Sequence, residues 1–365
     1  MLSRLALLAV LILALAACDD VVITDPCVEN PASCQPPGPE IIGGVNVSVL
    51  LSPPSLSDLE RARALWTEGA PSGYVANVAE ETDGSDGARL YLLEVRDAGA
   101  DSLVTFAIAR RPGTIGLPPA VPVVLVAPAD DVIGTDDFLT RAADEPLSSQ
   151  WIQVVAVPRG GRVTFDGTTR QAPGPPSPYL FDAADAIGAL TSAQNAVPGA
   201  RGRAAAVGFG RGGTAALFAS IREPSIRAVS SLAAPSDLFV GDLPDAIRAI
   251  LGGRSPSSAI PAFGTIASDV LLPLQRGDIT MEEARAGLFA RSPAYFLDTI
   301  APTVAFHGQE DGVVEVAHGR RLETALRGIP ALAGSYVETT DSHRSLFENF
   351  GVRNEAATHL DQASR

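Results

Sequence analysis

The sequence predicts an α/β protein with a doubly wound, mostly parallel sheet, and three observations carry that expectation. Val121 to Ala127 and Trp151 to Val157 are dense apolar runs, as expected of strands buried on both faces. Runs of this kind alternate with segments of helical period, the rhythm of a parallel sheet wound on both sides. A glycine-rich stretch, Gly208-Phe209-Gly210-Arg211-Gly212-Gly213, joins one such strand to one such helix.

In chain order, Met1 to Ala17 has the build of an export signal: Arg4 supplies the positive end, and Leu5 to Leu15 is an apolar run too short to span a membrane. Residues 18–40 form a tether stiffened by Pro26, Pro31, Pro36, Pro37 and Pro39. Cys27 and Cys34 flank a short segment of it. Outside the cytoplasm that pair is expected to oxidise into a local clip worth about 2–3 kcal/mol of chain entropy. A metal site is the alternative, with no histidine or third thiol nearby to complete it.

Residues 41–110 form an N-terminal β-rich segment. A β-like run covers Val45 to Val49, a helix lies around Ser57 to Trp66, and a polar Gly/Asp-rich stretch follows. Arg89 to Val95 and Leu103 to Ala109 then make an antiparallel hairpin. From 111 to 365 the strand–helix rhythm sets in. After the strand at 121–127 and that at 151–157 come a helix over Tyr179 to Asn195, a strand over Ala204 to Val207, a helix over Thr214 to Ile221 and a strand over Ile226 to Leu232. Thr303 to Phe306, Gly319 to Leu326 and Tyr336 to Glu338 add strand, helix, strand. An insertion at about 237–290 interrupts them, helical over Leu243 to Leu251 and Met281 to Leu288, and reads as a lid.

Composition bounds the function. The 365 residues include 42 acidic and 27 basic side chains, for a net charge of −15. Such a surface repels phosphate backbones, so nucleic acid is not an expected partner. No lysine occurs, which removes lysine Schiff bases and the P-loop lysine. Histidine chemistry is limited to His307, His318, His343 and His359. No cofactor and no metal ion is expected. Taken alone, His318 and His359 read as helix-surface residues.

Two resemblances follow from these motifs. Leu15-Ala16-Ala17-Cys18 resembles the lipobox of bacterial lipoproteins, which implies acylation of Cys18 and anchoring to a membrane of the bacterial cell envelope. Asp19 and Asp20 favour inner-membrane retention in some Gram-negative lineages. The stretch around Gly210 resembles the G-x-S-x-G elbow of α/β hydrolases, in the form seen in prolyl-oligopeptidase-like enzymes of the dipeptidyl aminopeptidase/acyl-esterase type. Pro302 to Asp311 resembles the family's "P-x-x-x-x-H-G-x-x-D" strand and turn, and Asp341-Ser342-His343 follows a strand as the family's catalytic histidine does.

The resemblance implies that Asp311 orients His343, that His343 is the general base, and that the backbone N–H of Arg211 is one oxyanion donor. His307 would be a strand-end residue and not the base. The nucleophile position holds Gly210, which has no side chain to attack with. Loss of such a serine costs about a millionfold in turnover, while an oxyanion hole and binding alone leave roughly 10³–10⁴-fold over water. The family's second oxyanion donor would come from a stretch that here reads Ala127-Pro128-Ala129-Asp130-Asp131, where Pro128 lacks an N–H.

Three functions are therefore expected in competition. One is a non-catalytic homologue that binds a small ester- or peptide-like ligand or a partner at the envelope. The second is an esterase or peptidase in which His343 activates water. The third is a nucleotide-binding module through Gly208, Gly210 and Gly213, which also spell G-x-G-x-x-G.

Overall fold

The computed structural model describes residues 39–68, 71, 73–84, 87–113, 121–127, 132–134, 150–257, 260–329 and 334–365. The export signal, Cys18, Cys27, Cys34 and the Pro128 to Asp131 stretch lie outside them.

Nine strands among the described residues form one sheet. They are β1 (Tyr74–Asp83), β2 (Arg89–Asp97), β3 (Leu103–Arg111), β4 (Val121–Ala127), β5 (Ile152–Ala156), β6 (Ala200–Phe209), β7 (Ile226–Leu232), β8 (Thr303–Gly308) and β9 (Gly334–Thr339). Their spatial order is β9-β8-β7-β6-β4-β5-β3-β2-β1. All neighbours from β9 to β5 are parallel, whereas β5–β3, β3–β2 and β2–β1 are antiparallel. The three strands of the 41–110 segment and its extension to Arg111 thus continue the same sheet.

Side chains of the central strands alternate between two cores, because successive residues of a strand point to opposite faces. Val123, Leu125, Ala204 and Ala206 pack into one cluster with α2 (Asp182–Ala196), α3 (Arg211–Arg222) and α6 (Val316–Arg327). Val124, Ala205 and Ala228 face the other way, onto the C-terminal helix α8 (Phe350–Ala363). Both faces being covered explains why these strands read as unbroken apolar runs. The rhythm read from the sequence holds, with longer elements. The strand expected over Ala204 to Val207 begins at Ala200, past an irregularity in its register.

Two expectations in the N-terminal part need correction. The run at Val45 to Val49 is a strand only at Val45–Asn46, and Val47–Leu50 forms a helical turn capped by the Asn46 side chain. The polar stretch after the first helix contains β1. That strand lies at the sheet edge with most side chains half-exposed or exposed, so Glu80, Glu81 and Asp83 sit in it without burial and mask its β character.

Helix α1 (Leu56–Leu65) starts at Ser55, which exchanges hydrogen bonds with Asp58 in a capping box. Trp66 follows it and lies edge-on to Phe218 and Phe296, with ring centroids 5.3 and 4.7 Å away. The insertion contains α4 (Leu243–Leu251), short helical turns over Phe263–Arg276, and α5 (Met281–Phe289). Its apolar side chains form a core of their own with Val45, Val47, Leu50 and Tyr179.

Arg285 of α5 pins the N-terminal turn to this core. Its guanidinium donates to both carboxylate oxygens of Asp58 at 3.2 and 2.8 Å, and to the carbonyls of Leu50, Ser52 and Pro53. The pair is nearly buried, with Asp58 held down at about 2, chiefly by the Arg285 hydrogen bond. Removing one partner of such a pair strands a buried charge. Arg285→Ala is therefore expected to lower unfolding stability by about 3–5 kcal/mol, read by denaturant titration.

Candidate functional site

The chain reverses within one residue between β6 and α3. Gly210 makes that turn at φ +56° and ψ −125°, in the left-handed half of conformational space that costs glycine little. Its N–H donates to the Leu232 carbonyl at the end of β7 (2.8 Å), fixing the turn to the neighbouring strand. At Gly208 a Cβ would lie 2.1 Å from the Gly212 carbonyl oxygen, so strand and helix meet here through bare backbone.

The next two strands supply the polar groups. Beyond β8 and β9 the chain is joined crosswise: Gln309 N–H donates to Thr339 O (2.8 Å), and Glu310 N–H to Asp341 O (3.2 Å). This brings the turn carrying Asp311 beside the start of α7 (His343–Glu348), whose first residue is His343. Ser342 caps that helix by exchanging hydrogen bonds with Ser345. Phe209 supports the imidazole from below, with ring centroids 4.4 Å apart.

Nδ1 of His343 lies 2.7 Å from Oδ2 of Asp311. The other carboxylate oxygen accepts the backbone N–H groups of Val313 (2.9 Å) and Val314 (2.8 Å). Burial pushes the Asp311 carboxyl up, but the hydrogen bonds from His343, Val314 and Val313 together outweigh it and hold the group below its ordinary value. The carboxylate is thus ionised, and it fixes the tautomer by drawing the proton to Nδ1. That leaves Nε2 as the lone-pair end of the ring, and it faces Gly210. A Cβ built on Gly210 would lie 3.6 Å from Nε2 and 3.7 Å from Cε1, with nothing else of the described residues beyond its chain neighbours within 4 Å.

Arg211 has a different task from recognition. Its buried guanidinium grips Asp182 at the start of α2 with two bonds, Nε to Oδ2 at 2.7 Å and Nη2 to Oδ1 at 2.8 Å. Asp182 also accepts the Tyr179 N–H (2.8 Å). The part left to Arg211 in an oxyanion site is its backbone N–H in the first turn of α3. The sequence gives no signal for Asp182, which precedes its partner by 29 residues. Among the described residues, no group of three or more His, Cys, Asp or Glu side chains could hold a metal ion, and no helix is long and apolar enough to cross a membrane.

No protein-family model and no curated protein sequence matches the chain. Solved structures do. An acetyl xylan esterase from Paenibacillus sp. R4 superposes with a TM-score of 0.55 at 15% identity, covering 87% of this chain and 99% of its own. Acetyl xylan esterase 1 from Thermoanaerobacterium superposes with 0.56 at 14% identity, covering 86% and 95%. The fold is that of the α/β hydrolases. The turns that carry Gly210, Asp311 and His343 all stand at the same end of the sheet, at the C-terminal ends of β6, β8 and β9.

His307 is the last side chain of β8 before Gly308, as expected, and its Nε2 is bonded to the Val314 carbonyl at 2.8 Å. His318 and His359 are not surface residues. His359 is half-buried with Nε2 bonded to the Pro302 carbonyl at 3.1 Å. His318 is fully buried in the first turn of α6, and both of its ring nitrogens lack a partner among the described residues. Helical periodicity alone did not reveal that this face meets Ser236, whose hydroxyl donates to the His318 carbonyl at 2.6 Å.

Burial, and secondarily the nearby His307, push His318 down to about 3 from an ordinary 6.5. The unfolded chain then binds a proton that the folded one refuses between those values. Stability from this residue is complete above about pH 6.5 and falls as the pH drops toward 3, by about 2 kcal/mol between pH 6.5 and pH 5. Replacing it by the apolar His318→Leu is expected to flatten that limb of the stability–pH curve, measured by urea unfolding at stepped pH.

Proposed function

We propose that this protein is a degenerate serine hydrolase: an α/β-hydrolase homologue that does not form an acyl-enzyme and that binds a small ester- or peptide-like ligand over its empty elbow. One observation carries the reading. The Gly210 α-carbon faces the lone-pair end of His343 across a space that a serine side chain would fill, and among the described residues beyond its chain neighbours only the His343 ring comes within 4 Å of a Cβ there. The resemblance of Gly208 to Gly213 to the prolyl-oligopeptidase-like elbow supports the same family. The lipobox-like Leu15-Ala16-Ala17-Cys18 places the protein, on this reading, at the bacterial cell envelope with Cys18 as its lipid anchor.

The test is restoration. Gly210→Ser places a Cβ 3.6 Å from Nε2, within reach of a hydroxyl hydrogen bond, at a turn whose neighbouring glycines are kept. A fluorophosphonate probe is expected to label Gly210→Ser and not the wild-type protein, and labelling is expected to vanish in Gly210→Ser/His343→Ala. Covalent labelling of a serine in the wild-type chain would overturn the reading.

A second reading is favoured by Nε2, which makes no hydrogen bond among the described residues. A water molecule over Gly210 would give its proton to Nε2 as its oxygen bonds to the ester carbon. His343 would then pass the proton to the departing alkoxide, leaving acid and alcohol. Slow turnover of an activated ester that disappears in His343→Ala supports this reading, and equal rates in the two proteins remove it. The nucleotide reading is weakened by two contacts. The His343 ring stands over Gly210, and Asp237, the first acid beyond β7, is already bonded to the Phe239 N–H (2.9 Å) and to Arg321 (2.8 Å).

A further inference from the structure

We infer that Val314 is a positioning residue that ties the helical insertion to the Asp311–His343 couple, so that the insertion's packing sets the carboxylate's place. Three contacts meet in this residue. Its N–H donates to Asp311 Oδ1 at 2.8 Å. Its carbonyl is bonded to His307 Nε2 at 2.8 Å. Its side chain is fully buried in the insertion's own core, among residues such as Leu238, Leu243 and Phe263.

The geometry makes the coupling specific. Asp311 reaches His343 with one oxygen and the 313–314 backbone with the other, so the carboxylate follows any movement of that turn. Among the described residues, the apolar cluster that encloses the Val314 side chain contains no residue of β1 to β9. The next residue adds a second link. A Cβ on Gly241 of the insertion would lie 2.5 Å from Glu315 Oε2, so backbone and side chain are in close contact there. The 237–290 stretch therefore buttresses the acid turn, whatever else it covers.

The inference rests on Asp311 and His343 as a proton-holding couple and makes no use of the missing nucleophile. Its readout is the Nδ1 proton of His343, followed by NMR in the full-length protein. That proton exchanges with water only when the bond to Asp311 opens. Val314→Ala is expected to speed its exchange by at least about tenfold, while Val314→Ile, which keeps the side chain filled, stays within about twofold of wild type. Leu92→Ala opens a cavity in a separate cluster, with Leu90, Phe106 and Ile108, and is also expected to stay within about twofold.

Should Val314→Ala fail to fold, Val314→Thr keeps the shape, places a hydroxyl in the apolar cluster and is expected to accelerate exchange in the same direction. Equal acceleration in Val314→Ala and Leu92→Ala would make the role merely structural and overturn the inference. An unchanged Nδ1 proton in a folded Val314→Ala protein would do the same. A silent Gly210→Ser leaves these outcomes untouched, since none of them involves residue 210.

Discussion

The reversal at Gly210 is the constraint on which the site depends. A strand and a helix can be joined by a single residue only if that residue has positive φ and the backbones on either side come into contact. Gly208 and Gly212 meet that second condition. The turn is then held by the Gly210–Leu232 hydrogen bond and by the Arg211–Asp182 pair, neither of which uses a side chain at position 210. The geometry of the turn is thus independent of any side chain at position 210.

Around that turn, hydrogen bonds fix the Asp311 carboxylate and the His343 imidazole. Asp311 is buried yet ionised because it accepts three N–H groups, two from backbone and one from an imidazole. A carboxylate supported in this way cannot relax into solvent, so His343 is oriented before any ligand arrives. His307 is engaged at Nε2 by the Val314 carbonyl, and burial pushes its own ring down. Of the three histidines near Asp311, one faces the open elbow, one braces the turn and one is enclosed.

The sequence displayed the parts of the protein that obey local rules. The parallel strand Ile226–Leu232 could be read to the residue, and all of it but Arg227 is buried. Asp311 and His343, singled out from motif and order, sit just beyond strand ends and meet at 2.7 Å. What escaped was set by tertiary contacts. β1 was hidden because an edge strand tolerates Glu80 and Glu81. His318 was hidden because the helix face that carries it is covered by the loop after β7. Asp182 was hidden because an ion pair across two helices leaves no mark in either segment. The 313–314 turn follows directly on Asp311, but its attachment to the insertion depends on packing between segments far apart in the chain.

The Arg285 contact has a consequence for the order in which the molecule can assemble. Its carboxylate partner lies 227 residues earlier in the chain. During synthesis, the segment leading to Asp58 emerges long before the guanidinium that will hold it. Bringing such distant residues together costs loop-closure entropy that local elements do not. The N-terminal turn is therefore among the last parts to be secured, and it remains unlatched while the central strands are already condensing.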